Sequence, residues 1–362
     1  MVNRPLRIGF EANELSNKNP SGVARYVSNL LGSLRGLGQK VDPLLRVSRI
    51  NRRRRVITNG GHHPRWVFPP FLPLCSYDIL HLTASRPMSV SRVKRTVVTV
   101  HDLWEYRLHA AGELATLPES CLRVAEALSI ADGALCVSES TAHDLRTFFP
   151  AFKGPIAVTH LGVSSAFHRP EKQETQAIRQ RYGLGDADYL LYVGHHHVRK
   201  NIQRMIEAYA LLPPDVPRLI LAGNSDVSRR DEVTALAHRL GVGSRVLQFD
   251  YVPEQDLAPL IGGARLSVFV PLFEGFGLPL LEAYRCGTPV VTSRNSSLLE
   301  LAHPSSALVD PLSLSDIARG IMDMLSVKMT EDARAALCAH AANFTWERCA
   351  QTTQALYYKV ME

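Results

Sequence analysis

Short apolar runs alternate with helical stretches from one end of the chain to the other, and no other feature narrows the fold so far. In the first half LRIGFEA (6–12), DILHLT (78–83), TVVTVHDL (96–103) and ALCVSES (134–140) read as strands. Amphipathic stretches from Val23 to about Leu37 and from Ser120 to Ala131 read as helices. The second half repeats the pattern with strand-like YLLYVG (189–194), RLILAG (218–223), RVLQFDYV (245–252), LSVFVP (266–271) and TPVVTS (288–293). Helix-like stretches follow them at 201–212, about 231–240, 254–264, from Pro279 to about Cys286, and 313–325. The strand runs are almost wholly apolar, as strands buried on both faces must be. This spacing predicts two doubly wound, Rossmann-like α/β domains. In such sheets ligands bind beyond the carboxyl ends of the strands, at a topological switch point. A chain of 362 residues can bury two cores. The segment HLGVSSAFHRPEKQE, rich in turn residues and charge, puts the boundary near 160–185.

Composition removes several classes. No apolar run is long enough to span a bilayer, and MVNRPLRIGFEANEL lacks the pattern of a signal peptide, so a cytoplasmic protein is expected. Six scattered cysteines without a C-x-x-C pair argue against a disulfide framework or structural zinc. The charge is uneven. Residues 1–170 hold 22 Lys and Arg against 12 Asp and Glu, and residues 171–362 hold 19 against 22. Much of the excess lies in the arginines from Arg46 to Arg65. These arginines form either a solvated loop or a patch for an anionic membrane or acceptor. Nucleic acid is not expected, because no stacking aromatics interleave with them.

The chemistry concentrates in VFVPLFEGFGLPLLEAYRCGTPVVTS, residues 268–293. A buried strand ends near Pro271, a turn carries Gly275 and Gly277, and a helix begins with Pro279 at its first position, where proline's fixed φ suits it. The glycines let backbone approach a ligand, and a helix N-terminus favours phosphate. Glu274 precedes the glycines and Glu282 is expected in the first helical turn, so two carboxylates eight positions apart face one ligand. Among dehydrogenases the first strand is followed by G-x-G-x-x-G; here IGFEAN stands instead.

This segment, EGFGLPLLEAYRCGTPVV, resembles the signature of the retaining nucleotide-sugar glycosyltransferases of family 4, which have the GT-B architecture. The resemblance implies two Rossmann-like domains facing a central cleft, with a C-terminal helix crossing back to the first. The expected limits are 1–167 for acceptor binding, 168–345 for the nucleotide sugar, and 346–362 for that helix, in FTWERCAQTTQALYYKVME. It implies that Glu282 holds the donor ribose, that Glu274 contacts the transferred sugar, and that Gly275, Phe276, Gly277 and Leu278 line the donor, the last two through backbone N–H groups. YVGHHHVRKNIQRMIEAY (192–209) resembles the family's Arg-Lys-Asn element. It implies that Gly194 lines the donor and that Arg199 and Lys200 meet the diphosphate, where fixed cations stabilise the departing charge without a metal or other cofactor. Three histidines, His195, His196 and His197, invite a metal reading. Adjacent residues of an extended segment point to alternate sides, so one ion cannot easily take all three.

Weaker matches complete the picture. Val252 would line the base pocket, and Glu300 reads as structural. In the first half, Gly22 in NPSGV resembles the loop near the donor phosphates. His101 in TVHDL resembles a strand-end histidine near the sugar, and Ser138 ends a similar strand. The function implied is hexose transfer, with retention, from a GDP- or UDP-sugar to a glycan or lipid-linked acceptor in polysaccharide biosynthesis. Mannose is the first expectation, and a peripheral contact with the membrane's inner face through Arg46–Arg65 is consistent with it. The alternatives are an epimerase or phosphorylase of the same architecture and a non-catalytic module binding polyanions or membrane. A phosphorylase requires a Schiff-base lysine cofactor, for which the sequence shows no site.

Overall fold

The structure, a computed structural model, describes residues 4–17, 22–52, 65–67, 76–83, 92–223 and 227–362. Tertiary contacts divide the chain into two units. One is Met1–Gly162 together with Thr345–Glu362, and the other is Val163–Phe344.

The first unit runs β1 (Arg7–Glu11), α1 (Gly22–Gly36), β2 (Lys40–Arg46), β3 (Arg65–Val67), β4 (Tyr77–Leu82) and β5 (Val93–Val100). It continues through α2 (Trp104–Ala110), α3 (Glu119–Ser129), β6 (Gly133–Cys136), α4 (Glu139–Phe148) and β7 (Ile156–Val158). The second unit begins with α5 (Lys172–Arg181), β8 (Tyr189–Val193), α6 (Ile202–Ala210), β9 (Arg218–Ala222), α7 (Val227–Arg239) and β10 (Val246–Phe249). Then follow α8 (Glu254–Gly262), β11 (Leu266–Phe269), α9 (Leu278–Arg285), β12 (Val290–Ser293), α10 (Leu298–Leu301) and β13 (Ala307–Val309). The helices α11 (Leu314–Ser326) and α12 (Glu331–Ala341) end it, and α13 (Trp346–Met361) returns to the first unit.

All strand pairs are parallel. The first sheet has the order β3-β2-β1-β4-β5-β6-β7 and the second β10-β9-β8-β11-β12-β13. Each therefore winds outward from its first strand in both directions, and each has a switch point, between β1 and β4 or between β8 and β11. The central strands explain why they pair this way. The residues of β4, β6, β11 and β12 are buried throughout, so both faces of each strand need cover from helices. Among the described residues no helix is long and apolar enough to cross a membrane.

The terminal helix is fixed to the first unit by packing and by a buried polar chain. Thr345 caps it, its hydroxyl accepting from the Arg348 N–H at 3.2 Å. Leu356, Tyr357 and Val360 are buried, and Arg95 donates to the Val360 carbonyl at 2.8 Å. The Tyr357 hydroxyl meets Nδ1 of His81 on β4 at 2.5 Å. His81 Nε2 meets the Thr99 hydroxyl on β5 at 2.6 Å, which in turn meets the Tyr26 hydroxyl of α1 at 2.7 Å. A neutral imidazole, one nitrogen donating and one accepting, satisfies this chain.

Candidate active site

At the switch point of the second sheet, the loop between β11 and α9 carries Glu274. Its backbone is held from two sides. On one side Leu272 N–H donates to the Arg199 carbonyl at 2.8 Å. On the other, the end of β12 and the segment after it supply a row of short polar side chains. Ser293 Oγ donates to the Pro271 carbonyl at 2.6 Å, and Asn295 Nδ2 to the Leu272 carbonyl at 2.8 Å. Ser296 Oγ accepts the Glu274 N–H at 3.1 Å, and Ser297 Oγ donates to the Glu274 carbonyl at 2.9 Å. Gly277 then starts α9 at φ +113°, a conformation open to glycine, and a Cβ there would lie 2.6 Å from Leu298 Cδ2.

Two local expectations need correction. The helix begins at Leu278, so Pro279 is its second residue. Glu282 is its fifth and lies in the second turn, because Gly277 launches the helix one residue earlier than proline alone suggests. Rising about 1.5 Å per residue, the helix carries the Glu282 backbone roughly 6 Å beyond that of Leu278. Glu282 is buried nonetheless, as are Gly275 and Phe276.

The cations arrive from the other side of the switch point. Gly194 directly follows β8, and its φ of +156° is matched by Gly223 directly after β9. A Cβ on Gly223 would fall 2.0 Å from the Gly194 carbonyl oxygen, so these strand ends abut through bare backbone. The next residues alternate, with His195 and His197 exposed and His196 buried. His197 Nδ1 accepts the Arg199 N–H at 3.3 Å, capping the single turn Val198–Lys200. Lys200 Nζ donates to Glu274 Oε1 and lies 5.4 Å from the Phe269 ring centre. Arg199 Nη1 is 3.8 Å from Glu274 Oε2. The side chains of Lys200 and Glu274 are 13% and 7% exposed, so the pair is largely withdrawn from water, where opposite charges attract more strongly. Glu274, Arg199 and Lys200, separated by more than seventy positions, are thus one cluster. Val252 is buried at the end of β10, two strands over from β8.

In the first unit, Gly22 opens α1, and a Cβ there would meet nothing within 4 Å. The preceding loop, Asn19–Ser21, lies outside the described residues. Ser138 caps α4 by accepting the Thr141 N–H at 3.1 Å, which accounts for it structurally. Arg49 is occupied internally, its Nη1 donating to the Asn13 carbonyl at 3.1 Å, to Ser16 Oγ at 2.7 Å and to Asn17 Oδ1 at 3.1 Å. Arg65 pairs with Asp42 at 3.1 Å, and Arg53–Arg55 lie outside the described residues.

His101 follows β5 and packs edge-to-face with the Tyr26 ring at 4.9 Å between centroids. Its Nε2 is shut away from solvent with no hydrogen-bond partner among the described residues. Burial lowers its pKa to about 4 and that of His81 to about 3. Both are therefore neutral in the folded chain at pH 7, while the unfolded chain protonates them below about 6.5. Their contribution is intact above that value and is lost as pH falls toward the folded pKa values. For fully buried His81 the loss is about 1.4 kcal/mol per pH unit over that window. Burial raises Glu11, which acts oppositely but is one group against two. The urea midpoint is expected to fall between pH 7 and pH 5, and His81→Gln should flatten that slope.

Sequence reasoning missed three groups. Asn201 adopts the left-handed region at φ +61°, and its amide bridges two loops. The polar row Asn295–Ser297 has no assigned role in the sequence reading. Glu11, fully buried at the end of β1, accepts from Asn13 Nδ2 at 2.8 Å and Thr83 N–H at 3.0 Å. A signal existed for the first two, because Asn and Ser between a strand end and a helix start are common turn-formers. Nothing in the sequence pairs Glu11 with Thr83.

Comparison with known proteins bears on the family and the fold. The profile of Glycosyl transferases group 1 matches residues 174–341, and that of Glycosyltransferase Family 4 matches residues 20–167. The O-antigen chain mannosyltransferase B of Escherichia coli is 33% identical over 281 residues, covering 75% of this chain and 71% of that protein. Among solved structures, sucrose-phosphate synthase from Thermosynechococcus elongatus superposes with a TM-score of 0.74 at 19% identity, over 98% of both chains. The Anabaena Alr3699/HepE structure, in complex with UDP and glucose, gives 0.72 at 17% identity, over 98% of this chain and all of that one.

Proposed function

Since the chain belongs to the group 1 glycosyl transferases of family 4, with the GT-B architecture, we propose that it transfers a hexose, with retention of configuration, from a nucleoside diphosphate sugar to a glycan or lipid-linked acceptor. Mannose from a GDP donor is the first candidate, supported by the Escherichia coli relative's activity. The UDP carried by the Anabaena neighbour keeps a uridine donor beside it. The observation that carries the reading is the buried cluster of Glu274 with Lys200 and Arg199 at the switch point of the second sheet. It joins a carboxylate suited to sugar hydroxyls to two cations suited to a diphosphate, beside a glycine-launched helix.

In this reading the bond from the sugar's anomeric carbon to the diphosphate oxygen breaks, and its electron pair stays on the phosphate. The acceptor hydroxyl oxygen bonds to the same carbon from the same face, and its proton passes to the leaving phosphate oxygen. Lys200, Arg199 and the backbone N–H groups of Gly277 and Leu278 stabilise the charge that develops, so no metal ion is required. Glu274 orients the sugar through its hydroxyls. Glu282 takes the ribose, Val252 the base, and Gly194, Gly275 and Phe276 the remaining donor surface. The first unit recognises the acceptor.

The test is a panel of GDP- and UDP-hexoses incubated with oligosaccharide and polyprenyl-linked acceptors, without divalent metal, with product anomers read by NMR. Transfer with the donor's anomeric configuration preserved is expected. An inverted product would refute retention. Loss of activity on metal removal would refute the charge assignment. Epimerised donor without any acceptor would replace transfer altogether.

A further inference from the structure

Among the described residues, two that are not glycine take positive φ, Asn201 at +61° and Ser296 at +46°. Such backbone costs energy and persists where its surroundings impose it. Both lie against the loop that carries Glu274, and on opposite sides of it.

Asn201 directly follows Lys200 and directly precedes α6. It is buried, and its Nδ2 donates to the Val270 carbonyl at 2.9 Å and to the Pro311 carbonyl at 2.7 Å. Its Oδ1 accepts from Arg204 Nη1 at 3.3 Å. One amide therefore ties the cation turn to the end of β11 and to the loop after β13. Ser296 works from the far side. Its hydroxyl oxygen accepts the Glu274 N–H, so it fixes the backbone from which the carboxylate projects.

We propose that Asn201 and Ser296 are positioning residues for the transfer, Asn201 setting the two cations and Ser296 setting Glu274. The inference rests on the transferase reading above and adds to it a division of labour. Neither residue touches the donor. Asn201 acts on diphosphate binding through Lys200 and Arg199, and Ser296 acts on turnover through Glu274.

Glycine is the informative replacement, because it accepts positive φ without strain and removes only the side-chain bonds. Asn201→Gly, Ser296→Gly, Lys200→Ala and the Asn201→Gly/Lys200→Ala double variant would be titrated calorimetrically with GDP and with UDP, and assayed for kcat and KM. Asn201→Gly is expected to weaken the better nucleotide about tenfold, and to weaken it far less when Lys200 is already alanine, as coupled neighbours do. Ser296→Gly is expected to leave that affinity unchanged and to lower kcat about tenfold, near the upper value of one lost neutral hydrogen bond. Equal, additive losses of affinity from both glycine variants would overturn the proposal, since general loosening of the loop moves both readouts together. If Asn201→Gly fails to fold, Asn201→Asp serves instead. It tolerates positive φ and loses the donor, and the same non-additivity is expected. Absence of any GDP or UDP binding by the unaltered protein would sink the transferase reading itself, and the inference with it. Nucleotide binding with additive losses would sink the inference alone.

Discussion

Replacing Glu274 by alanine is expected to cut transfer about 10²-fold or more while strengthening the protein's thermal response to nucleoside diphosphate. On the proposed reading, the first effect follows from losing a buried, oriented acceptor aimed at the sugar as its charge develops. The second follows from the cation left behind. Lys200 is 13% exposed and donates to Glu274, so the variant holds a largely buried ammonium without its carboxylate. That state is destabilised, and a bound diphosphate restores the missing negative charge. The melting temperature of Glu274→Ala should therefore start lower and rise further on adding GDP or UDP than that of the unaltered protein. A variant that transfers sugar at the normal rate removes Glu274 from the reaction. A variant whose nucleotide response is no greater removes Lys200 from the diphosphate.

Lys200→Ala is expected to destabilise the fold as well. It leaves the Glu274 carboxylate, 7% exposed, with only Arg199 at 3.8 Å. Removing one partner of a buried pair costs about 3–5 kcal/mol when nothing compensates. Arg199 and partial exposure of Lys200 should bring the loss toward the lower end. On the proposed reading, transfer should drop by about 10²–10³-fold, because a fixed positive charge at the leaving group is gone. The double variant Lys200→Ala/Glu274→Ala separates the two consequences. It should regain much of the stability, since no buried charge is stranded, and none of the activity. Urea unfolding and initial rates on the same four proteins decide this. Recovery of activity along with stability would mean that the pair is structural only.

Much of this was legible in the sequence because it rests on periodicity and on one dense motif. The apolar runs at 189–194, 218–223 and 266–271 coincide with β8, β9 and β11, since central parallel strands must be apolar on both faces. Three strands of the first sheet were not legible, for the same reason inverted. β2 carries Lys40, Asp42 and Pro43, β3 is three residues long, and β7 is half-exposed throughout. Such strands lack the continuous run that marks a centre. The site followed a similar division. EGFGLP and Arg-Lys-Asn announce themselves as residue types, and the sheet's switch point says where they go. Their hydrogen bonds to Ser293, Asn295, Ser296 and Ser297 depend on how β12 lies beside β11, which no local spacing encodes. The helix start shifted by one residue because Gly277 adopts positive φ, and that is a property of the packed loop against Leu298.

The central claim is that residues 274–282 and the turn at 199–200 together hold a nucleoside diphosphate. A crystal structure of the protein with GDP or UDP tests it most directly. The account predicts the diphosphate oxygens within hydrogen-bond reach of Lys200 Nζ and the Gly277 and Leu278 N–H groups, and the ribose hydroxyls on Glu282. Nucleotide bound elsewhere on the second unit, with the Lys200–Glu274 pair untouched, would contradict it.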